Sequence, residues 1–377
     1  MIETPGFLWT VLFFLLAIGP LIFVHELGHY LVGRWCGVKA DVFSIGFGKE
    51  ITGWTDRRGT RWKIGWMPLG GYVRFAGDAN AASMPDDEWK DLPDFERSRT
   101  FHAKPLWKRA LIVAAGPATN FLVAILIFAG VIAVFGEQRT PPVVGGIQAG
   151  SAAAAAGFRA GDRVLSVNDR DIARFTDIAR YVELRPGQAM SFEVKRGAET
   201  IRLMATPRVD RMVDRFGNKS TRGLLGLQSG PPVFVKLPVS QLPGAALRTT
   251  GDVLRSMVDG LVQIVTGKRS MKELGGPLMI AKFSGQTATL GWVAFLGFMA
   301  MISINLGFIN LLPIPMLDGG HLFFYAIEGV IRRPVPPEAQ EWAFRTGFIA
   351  LMSLMLFVTI NDLASFGLWQ RLSGLIG

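Results

Sequence analysis

The sequence of 377 residues contains one cysteine, four histidines and four tyrosines, and only 19% of it is charged. A lone Cys36 excludes an intrachain disulfide and a cysteine-based metal site, so a metal would have to be held by histidine and carboxylate. Scarce charge, with half the residues hydrophobic, is unusual for a soluble globular chain and ordinary for a membrane protein with a soluble insert. The first five residues lack Lys and Arg, and the apolar run after them is too long for the core of a signal peptide. That run is read as a retained spanning helix. The net charge of +10 does not imply nucleic acid, because Lys and Arg are scattered with no aromatic-interleaved basic stripe.

Four stretches are long and apolar enough to cross a hydrocarbon core, which takes about 20 residues of helix. They are Gly6–Val32, Trp107–Phe135, Gly291–Leu312 and Phe344–Leu363. Orientation follows from Lys and Arg in the short flanks. Residues 33–106 include Arg34, Lys39, Lys49, Arg57, Arg58, Arg61, Lys63 and Arg74, which assigns that loop to the cytoplasm. Arg332-Arg333 after the third span agrees, so both termini and residues 137–290 are expected outside, in the periplasm if the source is Gram-negative.

The outer segment alternates like short strands and turns. Val143–Ile147 leads through the small residues from Ser151 to Gly161-Asp162 into Arg163–Asn168; Ile178–Leu184 suits a short helix; Met190–Arg196 and Thr200–Ala205 suit a hairpin. This order resembles a PDZ domain of the permuted bacterial kind over about residues 140–228. Beyond it, Leu254, Met257, Val258, Leu261, Ile264 and Val265 mark an amphipathic helix within Leu247–Thr266, suited to the outer membrane surface or to packing on the PDZ domain.

The first span ends in His25-Glu26-Leu27-Gly28-His29. Ionisable groups inside a span are costly unless something compensates them. Histidines four apart lie on one helix face and can chelate one zinc ion, and Glu26 beside them can take a proton from water as general base. Nine residues separate His25 from Arg34, about 13 Å of helix, so the centre should lie in the membrane towards its cytoplasmic side. Catalytic zinc usually has three protein ligands. The candidates for the third are Asp318, His321, Glu328 and Asp362. Glu328 and Asp362 lie near span ends where water can solvate them. Asp318 follows Pro313 and Pro315, which break the third span, and precedes Gly319-Gly320. Irregular backbone at membrane depth is tolerated only where it is buried in protein or lines a cavity, so this segment suits an inward carboxylate. His321 is the second choice.

His25-Glu26-Leu27-Gly28-His29, Leu317-Asp318-Gly319, the intervening PDZ-like segment and Gly116-Pro117-Ala118-Thr119-Asn120 together resemble the site-2 protease family of intramembrane zinc metalloproteases, over essentially the whole chain. The resemblance implies one Zn2+ per chain on His25, His29 and Asp318, with Glu26 as catalytic base. It further implies that Val42–Val73, with Gly70, Gly71 and Tyr72, forms a membrane-associated β-hairpin that pairs with substrate; the alternative is a hairpin that only packs the cytoplasmic face. Asn305 and Asn310 match positions that hold substrate backbone, and interhelical hydrogen bonding is an equal alternative; Asn120 is similarly open. Only one PDZ domain is legible, where the best-known members carry two.

The fold expected is therefore a mainly α membrane protein of four transmembrane helices, with a cytoplasmic-side membrane-associated β-hairpin loop and an inserted extracytoplasmic α+β PDZ domain. Residues 1–32 carry the first helix, 33–106 the cytoplasmic loop, 107–136 the second helix, 137–230 the PDZ domain, 231–290 a linker with an amphipathic helix, 291–330 the third helix and 331–377 the fourth helix with its tail. The function expected is cleavage, in the bacterial inner membrane, of the spanning segments of single-span proteins. A pre-trimmed anti-sigma factor in the envelope stress response is the implied substrate, with remnant signal peptides as others. The partners are the lipid bilayer, that substrate and a peptide or protein ligand of the PDZ domain. A metal transporter would need neither Glu26 nor a PDZ domain, and a non-catalytic PDZ scaffold would not depend on Glu26.

Overall fold

A computed structural model describes residues 6–79, 91–213, 219–267 and 275–365. In chain order the elements are α1 (Phe7–Trp35), β1 (Ala40–Thr55), β2 (Arg61–Phe75), α2 (Asp94–Arg97), α3 (Leu106–Phe135), β3 (Glu137–Arg139), β4 (Val144–Ile147), α4 (Ala152–Ala155), β5 (Arg163–Val167), β6 (Arg170–Asp171), α5 (Phe175–Glu183), β7 (Met190–Arg196), β8 (Glu199–Ala205), β9 (Arg208–Val213), β10 (Lys219–Leu224), β11 (Leu227–Ser229), β12 (Val233–Val235), α6 (Leu242–Val265), α7 (Pro277–Thr289), α8 (Trp292–Asn310), α9 (Asp318–Ile331) and α10 (Pro337–Ser365). Among the described residues, α1, α3, α8 and α10 are long and apolar enough to cross a membrane. The chain divides into two compact units.

The first unit comprises residues 1–128, 246–258 and 272–377. In it α1 packs against α7, α8 and the β1–β2 hairpin. The expected third span of 291–330 is two helices: α8 stops at Asn310 and α9 begins at Asp318. Pro313 and Pro315 cannot donate to a helix ladder, and Met316 sits at φ +81° between them and α9. Gly319 and Gly320 are obligatory here, since a Cβ on either would strike the backbone of Leu311–Pro315. The C-terminal tail from residue 366 lies outside the described residues.

The expected hairpin exists and folds upon itself. Residues 42–45 pair with 71–74 on one side and with 61–64 on the other, and 52–55 also pair with 61–64. Glycine allows the bends: Gly46 and Gly70 have φ of +82° and +100°, where a side chain would be strained. Segment 71–75 is left as an edge, and among the described residues no further strand pairs with it. Phe43, Val73, Phe75, Phe101 and Tyr30 anchor this sheet to α1 in one apolar cluster.

The middle of α6 places Val253, Leu254 and Met257 against Phe121, Ala124 and Phe128 of α3 and Ala300 and Ile304 of α8. These three side chains of the amphipathic helix are therefore packed on helices. Helix α7 is not legible in the sequence, because its residues carry no spanning run. Its first turn is capped from α10: Asp362 accepts from the N–H groups of Gly276 and Met279, both at 3.1 Å. Asp362 is 1% exposed, which corrects the expectation that it is solvated near a span end.

The second unit comprises residues 129–245 and 259–271. Its four-stranded antiparallel sheet has the order β6-β5-β7-β8, with β4–β11 and β9–β10 as further pairs. Met190, Phe192 and Val194 alternate inward on β7 and are fully buried with Val164, Val167 and Ile178, each contributing roughly 1.5–3 kcal/mol. Asp162, 1% exposed, receives two hydrogen bonds of 2.8 Å from Arg196 and one of 2.7 Å from the N–H of Arg159. The expected strands and the short helix appear within a few residues of their anticipated bounds, α5 starting three residues before Ile178.

Candidate metal centre

The i, i+4 spacing sets the two imidazoles of α1 one turn apart, with ring centroids at 4.9 Å and planes at 81°. Their Nε2 atoms are 3.3 Å apart. Asp318, the first residue of α9, brings Oδ2 to 3.2 Å from His25 Nε2 and 3.5 Å from His29 Nε2. These three side chains offer ligand atoms all within 4.8 Å of one another, from sequence positions 289 residues apart. His25 and Glu26 are each only 7% exposed.

The arrangement fits a metal ion better than an ion pair. Despite the short distances, Asp318 Oδ2 is buried and accepts no hydrogen bond, a costly condition for an oxygen away from water. Two imidazole nitrogens and one carboxylate oxygen are a donor set that zinc accepts, with a fourth position open. Helix α3 orients the nitrogens. His29 Nδ1 donates to the carbonyl of Ile112 at 2.9 Å, which in the neutral imidazole leaves the Nε2 lone pair facing His25 and Asp318. The Asn120 side chain lies 3.0 Å from His25 Nδ1. A Cβ on Gly116 would overlap His29 Nε2, so α3 approaches the histidines closely only because that residue is glycine.

A cavity of about 360 Å³ opens onto this cluster. Among the sequence candidates it brings together His25, Glu26, His29, Asp318, Gly70, Gly71, Tyr72 and Asn310. Asn305, half-buried on α8, is not part of the lining. The edge strand abuts Glu26, since a Cβ on Gly71 would lie 2.8 Å from Glu26 Cγ. His321 lines the cavity but packs against Phe344 as a tilted ring pair, with centroids at 4.8 Å, and lies outside the His25–His29–Asp318 cluster. Glu328 pairs with Arg109 at 2.8 Å. Ile112 carries no signal in the sequence, because it acts through its carbonyl; Asn120 carries one, a fully polar group in an apolar run.

The signature of peptidase family M50 matches residues 13–354. A protein of Agrobacterium fabrum named as a zinc metalloprotease is 44% identical over 357 residues, covering 93% of this chain and 95% of its own. The metalloprotease MmpA of Caulobacter vibrioides is 38% identical over 395 residues, covering 98% of this chain and 99% of its own. The PDZ domain of an SdrC-like protein from Listeria monocytogenes is similar over 24% of this chain and 88% of that domain, at 14% identity and a TM-score of 0.19.

Proposed function

The chain belongs to peptidase family M50 and is a membrane zinc metalloprotease, and we propose that His25, His29 and Asp318 hold its zinc while Glu26 moves the proton. The observation that carries this reading is the convergence of two imidazole nitrogens on a buried carboxylate oxygen that lacks a hydrogen bond. When bound, zinc supplies Lewis acidity, which acidifies water and polarises a peptide carbonyl. The chain's own residues do the rest. Glu26, beside the cluster and against the cavity, accepts a proton from the attacking water on a carboxylate oxygen. As the carbon–oxygen bond forms and the peptide C–N bond breaks, it returns that proton to the leaving nitrogen.

The substrate reading is a spanning segment of a single-span protein, unwound and laid beside residues 71–75. An edge strand offers main-chain hydrogen bonds to an extended peptide, and this one borders the cavity at Gly71, Tyr72 and Val73. Asn310 is the proposed holder of substrate backbone, a reading supported by its position in the cavity lining at the C-terminal end of α8. A pre-trimmed anti-sigma factor, in the manner of a regulator of sigma-E protease, and remnant signal peptides remain the proposed substrates on the strength of the family resemblance. The basic residues from Arg34 to Arg74 support a cytoplasmic side for the hairpin, with the termini and the β-rich unit, read as the PDZ domain, outside the inner membrane.

The test compares purified wild type, Glu26→Gln and chelator-treated protein on a tagged single-span substrate, with zinc content measured alongside. Glu26→Gln should keep its zinc and lose roughly 100- to 10,000-fold in cleavage rate. Cleavage at the wild-type rate by the variant would refute the role of Glu26.

A further inference from the structure

A neutral imidazole carries one N–H, so whichever group faces Nδ1 decides whether Nε2 presents a lone pair. For His29 the matter is fixed, because the Ile112 carbonyl can only accept and therefore demands Nδ1–H. For His25 the facing group is a carboxamide, which can present either an oxygen or an NH2. Asn120 Nδ2 stands 3.0 Å from His25 Nδ1, while Asn120 Oδ1 is buried with no hydrogen-bond partner. The two ends of a carboxamide have the same shape, so a half-turn of the amide puts Oδ1 in contact with Nδ1 without other movement. The surroundings hold the residue in place, since Asn120 is fully buried and Ser303 Oγ of α8 donates to its main-chain carbonyl at 2.7 Å.

We propose that Asn120 is a positioning residue whose side-chain oxygen accepts the Nδ1–H of His25 and thereby fixes the tautomer that turns the Nε2 lone pair towards His29 and Asp318. Helix α3 then sets both ligand histidines, one through a main-chain carbonyl and one through a side chain eight residues further on. This rests on the assignment of His25 as a zinc ligand. A residue that merely joined helices would contribute to stability and leave zinc affinity unchanged.

The test measures zinc affinity of the full chain in detergent, by competition with a metallochromic chelator, for wild type, Asn120→Leu and Asn120→Asp, with thermal unfolding recorded for each. Leucine matches the size and lacks the acceptor, so affinity should fall roughly 10- to 100-fold. Aspartate keeps an acceptor, and its affinity should equal or exceed that of wild type. Unchanged affinity in Asn120→Leu overturns the proposal, as does an equal loss in both variants at unchanged unfolding temperature. Should the variants not fold, 15N-histidine spectra of the zinc-free wild type decide: Nδ1–H on His25 supports the proposal and Nε2–H overturns it. Failure of the underlying assignment looks different, since wild type, His25→Ala and Asp318→Ala would then bind zinc alike.

Discussion

Gly116→Ala adds one methyl group where α3 faces the two histidines. A Cβ there overlaps His29 Nε2 and lies 2.9 Å from His25 Cε1, whereas carbon atoms settle at about 3.5–4.0 Å. The imidazole of His29 cannot simply retreat, because its Nδ1 is tied to the Ile112 carbonyl at 2.9 Å. Loss of that hydrogen bond costs about 1 kcal/mol, and forcing a methyl into a packed site costs about 1–3 kcal/mol. If the strain falls on the metal-binding geometry, a total of about 2–4 kcal/mol weakens zinc binding roughly 30- to 700-fold. Gly130→Ala is the matched control: it lies in the same helix, where a Cβ meets nothing within 4 Å. Both changes share the helix-propensity gain of about 1 kcal/mol, so their difference isolates the clash. Zinc affinity by chelator competition and unfolding temperature are read together. A Gly116→Ala protein that binds zinc within about threefold of wild type, a difference under 1 kcal/mol, would refute the claim that His29 Nε2 faces the ion.

Two further predictions concern positions outside the metal centre. Asp362→Ala removes the acceptor for the Gly276 and Met279 N–H groups and should lower stability by about 1–2 kcal/mol, seen as a lower unfolding temperature, with Asp362→Asn intermediate; an unchanged temperature in both variants would contradict the cap. In the β-rich unit, burial alone would push the Asp162 carboxyl up, but hydrogen bonds from Arg196 and the Arg159 N–H outweigh it and hold the carboxyl below the ordinary carboxylate range. A depressed folded-state value gives stability that is fully present above the unfolded value of 3.8 and is lost as pH falls through the folded one. Thermal unfolding of this unit followed from neutral to acid pH should show that loss, and Asp162→Asn should be less stable at neutral pH with a flatter acid profile. Equal profiles would count against the pair.

What is legible in the sequence is whatever rests on spacing. Helical period puts His25 and His29 on one face, and the prolines before Asp318 mark the broken span that the structure shows between Asn310 and Asp318. What is not legible rests on tertiary closure. The self-folded hairpin depends on glycines whose positive φ values are set by which strands meet. Helix α7 depends on a carboxylate 83 residues beyond Met279 for its cap. A carboxylate near a span end is usually solvated, so the sequence alone assigns Asp362 to water, and the cap it supplies is invisible without the fold.

Burial inside a membrane turns unsatisfied polar atoms into a guide to chemistry. Native proteins leave few such groups unpaired. Among the described residues four buried side-chain atoms have no hydrogen-bond partner, and two of them, Asn120 Oδ1 and Asp318 Oδ2, belong to the His25–His29–Asp318 centre. The two are unpaired for different reasons. A half-turn of the Asn120 amide gives Oδ1 a partner within the protein, the Nδ1–H of His25. Asp318 Oδ2 instead faces two Nε2 atoms at 3.2 and 3.5 Å, both of which present lone pairs if zinc is bound. An oxygen flanked by two such nitrogens is repelled by each of them unless a cation lies between, so the burial that makes the motif expensive in lipid supports the proposal that a metal ion sits among these three groups.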